Sequence, residues 1–433
     1  MLQALQRTYL AVFRLYPLLL PLAVITACGE LVYGALNNFS LPLLLQAEYR
    51  RLGIANLRDV GVILGYVTST FLLSETLLRL PFGRLSDRWG RVTMIVLGPL
   101  VGVVSPIVIA NARSFVAFYP LRVLDGCGAA ALWPSLFAMV GDRVGREWRA
   151  TAMSVMNMIY MAAVALGPTL AGLLISVSDY RTPFYAASGL LLLAALLGFF
   201  WLRPLVRGPA PGLEPEVIAS PEAAPPVHPV WRPSRLQIVM MLVITFGQSF
   251  AIIMLAPYLV LYAKTALQLP ESRLGLLFIG PAIVVAVLAL PLGRLVDRWD
   301  NRAAVKLALL LAAIAMWLLP QTVRLPVLIG IAALFGVAYA LGTPAWFALM
   351  ADMAPETARG TTIGGFGTAQ GLGAIAAPIV GGYLWRTAIH YPFYASAAIL
   401  TLCTVLSLAA LRGAPPIRRS GYAADLEPFG GHV

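Results

Sequence analysis

Gly83-Arg84-Leu85-Ser86-Asp87-Arg88-Trp89 and Gly293-Arg294-Leu295-Val296-Asp297-Arg298-Trp299 are one heptapeptide with a single exchange, set 210 residues apart. The same offset pairs Gly126 with Gly336, Pro134 with Pro344, Asp142 with Asp352, Arg149 with Arg359, Pro168 with Pro378 and Gly172 with Gly382. An offset of 209 then aligns Pro183-Phe184-Tyr185-Ala186 with Pro392-Phe393-Tyr394-Ala395. One register held over most of the chain identifies two related halves.

The solvent for those halves is lipid. Of the 433 residues 60% are hydrophobic and 12% charged, about half the charge of an average soluble protein, and the mean hydropathy is +0.83. The apolar runs are ~20 residues long and lack the alternation of a barrel strand, so helices span the membrane. Twelve are expected, near 17–45, 60–82, 92–111, 115–140, 151–176, 183–202, 236–262, 274–292, 304–320, 325–350, 361–385 and 391–411. The fold class is therefore an all-α membrane protein of two six-helix bundles, 1–202 and 236–412, with a pseudo-two-fold axis along the membrane normal. Between them, 203–235 carries prolines 204, 209, 211, 215, 221, 225, 226, 229 and 233 and reads as an extended cytoplasmic tether. Residues 413–433 read as a polar cytoplasmic tail.

The net charge of +12 does not indicate a nucleic-acid partner, because the cations sit in short loops between apolar runs. With a cytoplasmic N-terminus, 20 Lys and Arg fall on cytoplasmic segments and nine on outer loops, while Arg79 and Arg122 lie inside spans. Both termini are thus expected in the cytoplasm of a cell with an inner membrane. Cys28, Cys127 and Cys403 are dispersed within apolar runs and read as core residues. Ile25-Thr26-Ala27-Cys28 imitates a lipoprotein processing box, but the apolar run continues past it to Leu45. His228, His390 and His432 make no metal cluster, and no phosphate loop indicates ATP. Gly126-Cys127-Gly128 with Ala131 sits in mid-span without a preceding strand and is no dinucleotide fingerprint.

The stretch Gly83 to Arg91, with Asp87, Arg88, Gly90 and Arg91 at the characteristic places, resembles the inter-helix 2–3 motif of the major facilitator superfamily. Gly293, Asp297 and Arg298 form a weaker copy, in which Asp300-Asn301 replace the final Gly-Arg. Arg122 and Gly126 are similar to the superfamily's fourth-helix arginine motif. The resemblance implies alternating access by two rocking bundles. Within the superfamily, the drug:proton antiporter branch is suggested by Ser154, Ala163, Gly167, Pro168, Ala171 and Gly172. The second half carries Gly364, Gly373, Ala377, Pro378, Gly381 and Gly382. The same small residues are also what close helix packing requires.

Ionisable groups within spans mark a pathway or a coupling site. There are five, all in the first half: Glu30, Glu75, Arg79, Arg122 and Asp125. Glu75 lies roughly 13 Å along its helix from Arg84 at the boundary, near the midplane. An acid at that depth can load and release a proton as a neighbouring arginine moves. Glu75–Arg79 and Arg122–Asp125, spaced i, i+4 and i, i+3, can instead be structural pairs. Glu30 has no partner within a turn. In the motif loop, Gly83 would allow the turn after helix 2, Asp87 would cap helix 3, and the arginines would reach Asp142, with Asp352 the equivalent acid. Such a cluster would serve as an inner gate.

Cavity candidates are the aromatics and amides Tyr33, Asn37, Trp133, Phe246, Gln248, Phe250, Tyr339, Trp346 and Gln370. An aromatic cavity with a buried acid suits lipophilic or cationic compounds. The expectation is a monomeric, proton-driven exporter without cofactor or metal, its partners being a small molecule, protons and lipid. A proton-coupled importer, or a non-transporting receptor on the same scaffold, are the alternatives. No catalytic constellation indicates an enzyme.

Overall fold

A computed structural model describes residues 12–206, 234–280, 283–284, 300–322, 324–353 and 359–412. Among these described residues, twelve helical segments follow in order. The first six are α1 Leu19–Ala47, α2 Asp59–Trp89, α3 Arg91–Asn111, α4 Phe115–Arg143, α5 Arg146–Val177 and α6 Thr182–Val206. The second six are α7 Arg235–Ala266, α8 beginning at Glu271–Leu274, α9 Asn301–Leu318, α10 Leu325–Met353, α11 Arg359–Thr387 and α12 Tyr391–Ala410. Ten helices among the described residues are long and apolar enough to cross a membrane. Most of the expected span 274–292 lies outside the described residues, and 361–385 falls within the 29-residue helix α11.

The pairings repeat as the sequence does. In the first half α1 packs on α5 and α6, and α3 on α4 and α6; in the second, α7 packs on α11 and α12, and α9 on α10 and α12. Across the halves, α2 meets α11 and α5 meets α8, two contacts exchanged by the same pseudo-two-fold. Large apolar side chains such as Val177, Phe200 and Leu236 remain exposed. Lipid covers such a surface without penalty. Prolines 81, 134, 168, 257, 344 and 378 lie inside helices, where neighbouring helices and hydroxyl side chains can satisfy the freed backbone groups.

Two expectations about the motif loop are corrected. Gly83 does not make the turn: α2 runs unbroken to Trp89, and the reversal occurs at Gly90, whose φ of +92° suits a residue without Cβ. Nor does Asp87 cap α3, which begins without a side-chain cap. Asp87 instead pairs with Arg91 one turn on, at 2.6 Å. Pro81 lies inside this helix and does not end it.

Close approach is what holds α2 against α4. A Cβ on Gly126 would collide with Ser74 Oγ and come within 2.8 Å of the Phe71 carbonyl. Gly126→Val is therefore expected to separate these helices and to cost about 1–3 kcal/mol. Thermal unfolding of the purified protein in detergent checks this; an unchanged midpoint would mean that α2 moves aside freely.

Candidate substrate and proton site

The intramembrane charges gather around α1, α2, α4 and α5. Arg122 is 2% exposed and bonds Asp125 at 2.7 Å. It also donates to Asn37 Oδ1 on α1 and lies 4.6 Å over the Phe71 ring on α2. Ser105 of α3 stands beside Asp125, its hydroxyl donating to the Leu121 carbonyl at 3.3 Å. The pair thus joins four helices, and of the Arg122 nitrogens Nε is buried without a partner among the described residues. Glu75 and Arg79 bond at 2.7 Å on α2, with the carboxylate buried and the Arg79 side chain 57% exposed. Both close pairings expected from the sequence are formed.

Glu30 differs from the other two acids. It is buried, with the Tyr160 hydroxyl of α5 beside it. Among the described residues it is the carboxylate within a span that has no Arg or Lys against it. Around it stands an aromatic group. The Tyr33 ring lies 5.8 Å from Phe71 and 6.2 Å from Trp133, and Trp133 lies 5.3 Å edge-on from Tyr160. Gly29 makes room for Trp133, since a Cβ there would come within 3.3 Å of the indole. Tyr339 of α10 lies within electrostatic reach of Tyr160, which brings the second half to the same centre.

Tyr160 and Phe71 do not stand out in the sequence. The available signal is positional: Tyr160 precedes Gly167 by two turns, and Gly167 packs on the Leu31 carbonyl, so both face α1. Other cavity candidates lie elsewhere. Phe246 and Phe250 stack at 5.9 Å on α7, and Trp346 meets Phe366 at 6.5 Å inside the second half. Gln370 is exposed and Gln248 partly buried, neither joined to the Glu30 group.

The small residues sit on seams. Gly373 faces the Phe246 carbonyl between α7 and α11, as Gly167 faces Leu31 between α1 and α5, and Gly381 faces Tyr258. Gly172 and Gly382 instead lie across the halves, against the Glu271 and Gly61 carbonyls. At this end, called distal because the described chain begins and ends at the other, the halves are bonded repeatedly. The Tyr258 hydroxyl donates to the carbonyls of Pro378, at 2.6 Å, and Gly61. Ser69 Oγ donates to the Ile375 carbonyl at 2.7 Å, Thr169 Oγ1 donates to the Gly275 carbonyl at 3.0 Å, and Tyr66 meets Tyr383 at 2.9 Å. At the proximal end, a Cβ on Gly83, Gly364, Gly365 or Gly367 would meet nothing within 4 Å. The described residues of the two halves thus meet distally and part proximally.

Of the motif residues, Arg91 bonds Asp87 and, at 3.0 Å, Asp142; this cluster ties α2, α3 and α4 within one half. Arg88 is exposed on the last turn of α2. Gly293, Asp297 and Arg298 lie outside the described residues, and Asp352 is on the last turn of α10.

A further distal contact is titratable. Glu271 Oε1 accepts from Lys264 at 2.5 Å and from Tyr180 of the first half at 2.6 Å. Burial pushes Glu271 up, but these two donors outweigh it and hold the carboxyl below its ordinary range. Burial, joined by the Glu271 carboxylate, lifts the Tyr180 phenol to about 12. A lowered carboxyl contributes above its ordinary pKa, ~4.3, and loses that contribution as pH falls through the lowered value. Distal closure, read as the distance between spin labels on cysteines at Tyr66 and Tyr383, is expected to be level from pH ~5 to ~8 and to fall off below pH ~4. In Glu271→Gln the acid limb should be absent; a limb that persists would assign it to another group.

Two bundles paired by a pseudo-two-fold, meeting at one end and enclosing charged and aromatic side chains at mid-depth, define a multi-pass membrane transporter. The profile of the Major Facilitator Superfamily matches residues 22–255 and again 241–428. The chain belongs to that superfamily. It is similar to Multidrug resistance protein 2 of Bacillus subtilis, with 27% identity over 339 residues, 77% of this chain and 82% of the relative. Multidrug resistance protein 1 of the same organism is 25% identical over 350 residues, covering 81% and 87%. Quinolone resistance protein NorA of Staphylococcus aureus is 26% identical over 200 residues, 45% of this chain and 49% of its own. Among solved structures, the POT family transporter PepTSo superposes with a TM-score of 0.71 at 12% identity, covering 92% of this chain and 98% of its own. A mutant of the nucleoside transporter NupG gives 0.68 at 12%, covering 91% and 100%. At that identity the likeness is one of fold.

Proposed function

We propose that the protein exports small lipophilic or cationic compounds in exchange for protons, across a bacterial-type inner membrane. The observation that carries this reading is Glu30: a buried carboxylate without a cation beside it, next to Tyr160 and the ring cluster that Tyr160 forms with Trp133, Tyr33 and Phe71. Such an acid can hold either a proton or the positive charge of a substrate, and aromatic faces favour cations further. The printed names of its relatives, multidrug and quinolone resistance proteins, agree with this chemistry. Loop charge puts both termini and the proximal end in the cytoplasm. The chain then takes substrate from inside, breaks the α2–α11 and α5–α8 contacts, and releases it outside, where a proton replaces it on Glu30. Arg122–Asp125, closed in by four helices, holds the first half rigid, whereas Glu75–Arg79 borders the cavity. The motif cluster at Arg91 braces the first half at the inner gate. The proton gradient alone drives the cycle, in a monomer that catalyses no bond chemistry.

The test uses proteoliposomes with an internal pH-sensitive dye and the proximal end facing outward. A lipophilic cation such as tetraphenylphosphonium, added outside, should enter the vesicles while protons leave them. Proton movement in the same direction as substrate would make the protein a symporter.

A further inference from the structure

The distal end carries a half-open cavity that the transport reading does not use, with Leu57, Arg58 and Arg386 exposed at its rim. It has a volume of about 380 Å³ and lies between the halves, with Gln46, Leu57, Arg58 and Val60 on one side and residues 385–390 with Leu261 and Thr265 on the other. Its size is that of a small-molecule site.

Its wall is cationic at one part and apolar at another. Arg58, Arg386 and His390 line it, and no carboxylate does among the described residues. Arg386 pairs from outside the cavity with Asp59 at 3.2 Å. The Arg58 guanidinium has no hydrogen-bond or ion-pair partner among the described residues, only its backbone N–H being bonded, to Asn56. Two polar atoms of lining residues, His390 Nδ1 and Gln46 Oε1, are buried behind the wall without a partner. A buried polar atom left unpaired costs stability unless something satisfies it. Rotation of the His390 ring or of the Gln46 amide would turn a donor into the cavity. Leu57, Leu261 and Trp385 supply the apolar part.

We propose that this cavity binds an amphiphilic monoanion, a carboxylate or phosphate head on Arg58 and His390 with its aliphatic body against Leu57, Leu261 and Trp385. The cavity exists because α2 and α7 meet α11 there: Trp385 packs on Gly61, and the Tyr258 ring lies 5.9 Å from Trp385. An occupant therefore bridges the two halves and favours the distally closed state, in proportion to its preference for that state over the open one. Its effect is to slow the cycle from the outer face. The cations of the wall repel the cationic substrates proposed above, so this is not a stop on their exit route. The inference does not depend on the direction of transport.

The experiment uses the full-length protein and 10-bromodecanoate, whose bromine quenches tryptophan fluorescence. The quenching attributable to Trp385 is the difference between the wild type and Trp385→Phe. It is expected to saturate, and Arg58→Ala or His390→Ala to weaken it roughly tenfold to a hundredfold, as loss of a hydrogen bond to a charged group does. Ten-carbon bromoalcohol, without the charge, should bind weaker by a similar factor. Equal binding of the alcohol, or no effect of Arg58→Ala, would overturn the site. In a Tyr66→Cys/Tyr383→Cys protein, decanoate should raise the disulfide yield; an unchanged yield overturns the bridging. Reconstitution in phosphatidylcholine, with or without phosphatidylglycerol, tells the source. If phosphatidylglycerol alone displaces 10-bromodecanoate through Arg58, a lipid headgroup is the occupant; if not, it is a free acid.

Discussion

Glu30→Gln is expected to abolish proton-driven transport, leaving exchange of an uncharged substrate intact and weakening that of a cationic one. The amide keeps the size of the carboxyl and can accept from Tyr160, so the contact between α1 and α5 survives. What disappears is the titratable charge. A carrier that no longer binds a proton has nothing to return with against the gradient, so substrate accumulation should fall to that of protein-free vesicles. Exchange of labelled for unlabelled uncharged substrate needs only reorientation of the loaded carrier and should continue, whereas a cationic substrate also loses the charge that held it. If accumulation persists in the variant with its proton flux, coupling belongs to Glu75, and Glu75→Gln becomes the decisive substitution. Tyr160→Phe, which keeps the acid and removes its donor, should reduce accumulation without abolishing it.

Arg122→Met is expected to be the most destabilising single change among the intramembrane charges. Asp125 would be left buried without its cation, and breaking one side of a buried pair costs about 3–5 kcal/mol. The loss of the bond to Asn37 and of the stack on Phe71 adds to it. Thermal unfolding in detergent would show it, as would the yield of monodisperse protein. Arg122→Met with Asp125→Leu removes both charges and should restore most of the stability, since apolar replacement of a whole buried pair is often neutral or stabilising. The double variant also separates the two roles of the pair. Transport by a restored double variant would make Arg122–Asp125 a brace; a stable but inactive one would place it in the coupling machinery.

The heptapeptide repeat and the twelve apolar runs predict the two bundles, and the pairings α1–α5 with α7–α11 and α3–α4 with α9–α10 repeat as that register requires. The pairs Glu75–Arg79 and Arg122–Asp125 are legible because one-turn spacing on a helix fixes proximity before any tertiary contact forms. The turn at Gly90 reads in the sequence as one at Gly83, because Gly83 follows Pro81 by two residues and only the helix's continuation shows that the chain does not turn there. Tyr160 is not legible as a site residue. It bears no charge and lies 130 positions from Glu30 in sequence.

By itself, then, the sequence determined the solvent, the all-helical fold, the duplication and which charges pair one turn apart, all properties of local composition or of one-turn spacing. The tertiary structure alone decided that Glu30 faces Tyr160 rather than an arginine, that Asn37 and Phe71 enclose Arg122, and that α2–α11 and α5–α8 close the distal end. The physical reason is that rotation of a helix about its axis is set by packing against its neighbours. An apolar span without a strong stripe, such as α11 with its small residues all round, carries little record in its own sequence of which face turns inward.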